Sequence, residues 1–253
     1  MVAGAVALVV IVVAAVVVAW LTSRSDDAAT SQQILPSAPD GPVTVQKPPS
    51  TVTDTSGIPG VLAWDTSGYP GDGEPNAGTL GHDHVAGPVK YAVLPPVGGP
   101  HNSIWMNAGV YTEPVPSERA VHDLEHGAVW IVYAPDLPAD QVQQLTAFVA
   151  RQTFVDEVSE DGSGQAGQAS RYMEMSPWAG TDLPAPIVIS AWGHQLRLDS
   201  PTDPRLQRFV DTFRNSSTYT PEYGSPVDGV PIESGGRPDS GGSRLPNPEG
   251  DLQ

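Results

Sequence analysis

In the run Val121-His122-Asp123-Leu124-Glu125-His126-Gly127 two histidines stand four positions apart with a glutamate just before the second. On a helix, positions i and i+4 lie one above the other, so His122 and His126 offer one ion two imidazoles from successive turns. Glu125 lies beside that face as a ligand, as a carboxylate orienting an imidazole from behind, or as a base. The order His-x-x-Glu-His is also that of the inverted zinc peptidases, whose glutamate activates a metal-bound water. That class carries its motif inside a long helix, whereas here Gly127 follows the second histidine at once and no downstream glutamate declares itself as a third ligand. A third imidazole is available from Pro95 to His101 (PPVGGPH), where paired glycines permit an unusual backbone and a histidine ends the turn. The expectation is one divalent transition metal, zinc or copper, held by His101, His122 and His126 with Glu125, the three nitrogens about 3 to 4 Å apart.

The other chemistry-bearing residues fit blander roles. Histidines in the last turn of a helix are favoured by its dipole, and an adjacent glutamate satisfies them without an ion. The rival expectation is therefore a metal-free envelope interaction or scaffold domain whose histidines form a closed polar network. His82 and His84 read as part of a solvated turn, although His-x-His also suits copper or nickel. His194, after Trp192-Gly193, reads as an exposed strand end. Met106, Met173 and Met175 carry thioethers that suit cuprous ions, but Met173 and Met175 also alternate in phase with a strand, as core residues do. There is no phosphate loop, dinucleotide fingerprint or Gly-x-Ser-x-Gly elbow.

The elements that must position these groups are few. A short helix is expected over Glu118 to His126, with Ser117 as N-cap and Gly127 at its end. Ala128 to Ala134 and Pro186 to Trp192 are continuous apolar runs of buried-strand length; Val89 to Leu94 and Tyr172 to Met175 are weaker strands. Val142, Leu145, Phe148 and Val149 share one helix face, as do Leu206, Phe209, Val210 and Phe213, and both helices look like covers for a sheet. The fold class is α+β, a small mostly antiparallel sheet covered by two or three helices, preceded by one N-terminal transmembrane helix.

That transmembrane helix is expected over residues 1–22, because residues 2–21 are twenty uninterrupted apolar or small side chains. At 1.5 Å per residue such a helix spans about 30 Å, the thickness of the hydrocarbon core. The basic stretch and cleavage site of a secretory leader are not seen. Nothing basic precedes the run and Arg24 follows it, so the positive-inside rule gives no support for an outside domain; a start site further upstream, with a basic leader, would restore the bias. Residues 23–56 read as a disordered tether, 57–225 as an extracytoplasmic domain, and 226–253 as a disordered tail. The chain is thus expected at the cell membrane as a single-pass protein, with the membrane as its partner and no protein partner specified. Twelve basic against 29 acidic residues give a net charge of −17, which repels phosphate backbones and argues against a nucleic-acid partner. With no cysteine there is no disulfide, thiol nucleophile or thiolate metal site.

The motifs also have a familiar order: PPVGGPHN (Pro95 to Asn102), Trp105, GVY (Gly109 to Tyr111), AVHDLEHGAVWIVY (Ala120 to Tyr133), ISAWGHQLRLD (Ile189 to Asp199) and Pro221-Glu222. Over roughly His82 to Glu222 the chain resembles the bacterial family called domain of unknown function 3105. Members share a Gly-Pro-His turn and a His-x-Leu-Glu-His-Gly block, and commonly an N-terminal membrane anchor. The resemblance implies His101, His122, Glu125 and His126 as site residues, without a reaction. It also implies a disulfide in relatives between a cysteine just before Gly-Val-Tyr and one near the end of the domain. The corresponding places here are Ala108 and residues 224–227.

Overall fold

A computed structural model describes residues 35, 39–67, 78–157 and 169–230. The expected transmembrane helix, the start of the tether and the tail beyond residue 230 lie outside the described residues. Among the described residues, no helix is long and apolar enough to cross a membrane.

The centre of the fold is β6 (Val129–Tyr133), whose five residues are all buried. Its side chains alternate between two cores, which is why the sequence shows a continuous apolar run there. Val129, Ile131 and Tyr133 pack with Leu145 and Phe148 of α2 (Ala139–Ala150) and with Leu206, Phe209 and Phe213 of α3 (Pro204–Phe213). Trp130 and Val132 face the other way, into a core with Val121 and Leu124 of α1 (Ser117–His126). The sheet is therefore covered on both sides, and the histidine-bearing helix has one side to itself.

Seven strands run in the order β2 (Thr51–Val52), β3 (Leu62–Trp64), β11 (His194–Leu198), β10 (Ile187–Ala191), β6, β9 (Met173–Pro177) and β5 (Gly109–Val110). The pairs from β2 through to β6 are antiparallel, whereas β6–β9 and β9–β5 are parallel. The fold is α+β with a mostly antiparallel sheet. The connection from β6 to its parallel neighbour β9 runs through α2, as a crossover requires. Two small ladders lie outside the main sheet: β1 (Thr44–Val45) with β4 (Val89–Lys90), and β7 (Val155–Asp156) with β8 (Ala169–Ser170).

The ordered chain is longer than the expected boundaries 57 and 225. β1 and β2 lie inside the stretch read as tether, and Val227 and Val230 are buried inside the stretch read as tail. These segments carry no apolar period because they join by backbone pairing and single side chains. Helix α1 differs at its start: Ser117 is its first residue rather than its cap, and Pro116 occupies the cap position without a side-chain hydrogen bond. Its end is as expected, with Gly127 left-handed at φ 106°. There the amide of Ala128 reaches back to the carbonyl of Asp123 at 2.8 Å.

Candidate metal centre

His122, Glu125 and His126 project from the last turns of α1, and all three are buried. The two imidazoles meet with ring centroids 4.4 Å apart, as the i,i+4 spacing requires. Trp105 covers them, its ring 5.4 Å from His122 and 5.0 Å from His126.

His101 arrives on the same side from the glycine loop. Gly99, at φ 121°, leaves no room for a Cβ because the side-chain amide of Gln46 lies against it. That amide donates to the carbonyl of Gly98 at 2.9 Å, and the Gln46 oxygen accepts from the amide of Ala92 at 3.1 Å. A residue of the supposed tether thus pins the loop that presents His101. The loop's other face is held by the Tyr91 hydroxyl, which donates to the carbonyl of Pro100 at 2.8 Å. The backbone of His101 pairs with the stretch around His84, with its amide 2.9 Å from the carbonyl of Asp83. The His84 ring consequently stacks on His122, centroids 5.1 Å apart, and stands 4.9 Å from His101.

The protonation pattern follows from the outer nitrogens. Nδ1 of His101 lies 2.8 Å from the carbonyl of Gly99, Nδ1 of His122 2.7 Å from that of Asn102, and Nδ1 of His126 2.6 Å from that of Pro226. A carbonyl only accepts, so each Nδ1 carries the hydrogen, and in the neutral ring each Nε2 presents a lone pair. Those lone pairs face other acceptors: Nε2 of His101 is 2.9 Å from Glu125 Oε2, Nε2 of His126 is 3.1 Å from Glu222 Oε2, and the Nε2 atoms of His122 and His126 are 2.9 Å apart. Within the buried His101–Glu125 contact no aligned hydrogen bond reaches the His101 nitrogen. Burial, with His126 and His101 adding, pulls His122 down to about 3, so it is neutral at physiological pH. Only a His126 ring with hydrogen on both nitrogens can donate to Glu222, and that donation would hold the Glu222 carboxylate below its ordinary value.

The ligand atoms fall into two groups, each with all members within 4.8 Å of one another: His84, His101, His122 and Glu125, and His122, His126 and Glu222. The four residues singled out in the sequence lie in one neighbourhood, but His101 and His126 belong to different groups joined through His122. His84 and Glu222 complete the groups and were not singled out. His84 is exposed as a residue, as its polar turn implies, and only its backbone pairing with His101 brings its ring inward. Glu222 comes from a strap, residues 222–230, that folds back over the end of α1: its amide donates to the carbonyl of Glu125 at 3.1 Å. Farther along, the Tyr172 hydroxyl bonds the carbonyls of Gly224 and Ser225, and the Trp105 indole bonds that of Asp228.

One other sequence reading changes. His194 is buried rather than exposed, packed on Phe213 at 4.4 Å between centroids. Met173 and Met175 belong to the core shared with α2 and α3, on the far side of the sheet from α1.

This histidine and glutamate constellation lies inside a recognisable family region: residues 82–229, more than half of the chain, match the family described as Protein of unknown function (DUF3105). The chain belongs to that family. The DUF3105 region takes in all six residues of the two ligand groups and ends within the strap. It also spans Ala108 and residues 224–227, the places of a lost bridge by the resemblance, and of that stretch Val227 lies against Ala108. The amide of Ala108 is 2.7 Å from the carbonyl of Val227, and both are in a small core with Ala128 and Tyr172. No curated protein and no solved structure matches the chain.

Proposed function

We propose that this DUF3105 domain binds one divalent transition metal through its histidine cluster and acts outside the cytoplasm on a single-pass anchor. The observation that carries the metal reading is the set of inward-facing lone pairs. Three imidazoles with their outer nitrogens donating to carbonyls, and their inner nitrogens aimed at carboxylates or at one another, repel until a cation lies between them. Two ligand atoms each 2.0–2.1 Å from one ion stand about 2.9 to 3.4 Å apart for angles between octahedral and tetrahedral. The contacts of 2.9 and 3.1 Å agree with that spacing.

Imidazole and carboxylate donors suit Zn2+ and Cu2+, and Met173 and Met175 lie across the sheet from α1 rather than beside these donors. The anchor rests on the apolar run at residues 2–21. The metal-free alternative is favoured by the same pairs in another protonation state: a protonated His101 against Glu125, and a protonated His126 against Glu222, close the network without an ion. Elemental analysis of tag-free protein after incubation with zinc or copper salts and desalting decides between them. One ion per chain and a raised thermal midpoint are expected. A stoichiometry near zero with no thermal shift would leave the metal-free domain as the better account.

A further inference from the structure

The two ligand groups share one residue, His122, and that residue has one nitrogen to give. Its Nδ1 is committed to the carbonyl of Asn102 at 2.7 Å, which leaves Nε2 with a single lone pair. A single lone pair bonds one ion, so the groups cannot be filled together through His122. Among the described residues no carboxylate belongs to both groups, so none of them supplies the bridge that usually joins two ions about 3.5–4 Å apart.

Resting on the metal reading above, we infer that the domain holds one ion at a time in either of two positions, between which the ion passes by exchanging ligands around His122 Nε2. The first position is made by His101, His122 and Glu125 with His84, and the second by His122, His126 and Glu222. Each has a buried inner part and one ligand in reach of solvent: His84 at the first, and Glu222, with its side chain 35% exposed, at the second. The ligands thus form a continuous path with both ends at the surface. The 2.9 Å separation of the Nε2 atoms of His122 and His126 lets an ion acquire His126 before it has released His101 and Glu125, so no step leaves it without protein ligands. An ion relay has this arrangement, whereas a structural site encloses its ion in one fixed shell.

Cobalt(II) is the probe, because its visible absorption reports its ligands, and the full chain is titrated with it. Wild type is expected to saturate at one equivalent. Glu222→Gln combined with His126→Gln should still bind one equivalent, in the first position. His101→Gln combined with Glu125→Gln should also bind one, in the second, with a different visible spectrum. His122→Gln should weaken binding at least tenfold in either background. Release from wild type to a chelator should be at least tenfold faster than from the Glu222→Gln, His126→Gln variant, which has lost one end of the path. Far-UV circular dichroism shows which variants are folded, and Asn substitutions at the same positions replace any that are not.

Two equivalents in wild type overturn the sharing of His122 while leaving the metal reading intact. Loss of all binding in either folded double variant, or equal release rates, overturns the two positions in favour of a single composite site. Absence of cobalt, zinc and copper binding to wild type removes the metal reading and the relay with it.

Discussion

Glu174 stands between two methionines in β9, and the strand's alternation turns it away from their core toward the buried side of α1. There it meets Asp123, and burial pushes Glu174 up to about 8 and Asp123 upward as well. Among the described residues neither Glu174 oxygen has an N–H or hydroxyl donor, so the bond between the carboxyls needs a proton held by one of them. A carboxyl whose value rises on folding binds more protons in the native state between its ordinary and its raised value, and stability falls as pH climbs through that window. The thermal midpoint of wild type should therefore decline from about pH 4.5 toward pH 8 relative to Glu174→Gln, which lacks that titration. Parallel profiles for the two proteins would refute the shared proton. At this scale the sequence was readable where chemistry coincides with a local period, as at His122, Glu125 and His126 on one helix. It was opaque at Glu174, where the methionines of the strand gave no sign that the intervening side faces a second core.

Helix α1 ends where the site needs it to, because Gly127 turns the chain from the histidine face straight into β6. A Cβ at Gly127 would stand 3.0 Å from the Cα of Asn215, and the left-handed φ of 106° is one that other residues adopt only under strain. Gly127→Ala should cost about 1–3 kcal/mol and lower the thermal midpoint, as a two-state melt would show. An unchanged midpoint would mean that the turn relaxes without strain. The sheet-covering helices and the runs of β6 and β10 were legible because each buries a full apolar stripe or strand. β11 was not, since Gln195 within it is buried and donates to the carbonyl of Pro95 at 2.9 Å, a polar residue inside a strand that reads as solvent-facing. β1 and β2 escaped for a related reason: two-residue ladders are fixed by backbone partners that sequence does not display. Gln46, between them, should act through the loop it clasps. Gln46→Ala is expected to weaken metal binding by loosening His101 while leaving the α1 pair in place, a change readable by cobalt titration.

Across the whole molecule, the strap ties the end of the domain to α1 and to β5. Asn107 bonds Val230 in both directions, at 2.9 and 2.7 Å, and Ala108 bonds Val227 beside it. Cysteines at Ala108 and Val227 should form a disulfide between these adjacent backbones. Closing a loop of about 120 residues has an entropic ceiling of about 4.9 kcal/mol, less any strain in the bridge. The oxidised double variant should melt above its reduced form, and thiol titration should find no free sulfhydryl before reduction. Equal midpoints, or two free thiols, would show that the side chains do not face one another.

The distance along the chain between the helix and its cover also sets a clock. His126 is bonded to a carbonyl 100 residues later, and at about 5–20 residues per second a ribosome takes roughly 5 to 20 s to supply it. Throughout that interval the side of the α1 imidazoles that the strap closes has no cover, although Trp105 and His101 are already made. On the metal-binding proposal, the ion first acquired is then chosen by local supply where the chain folds, before the finished pocket can express any preference of its own.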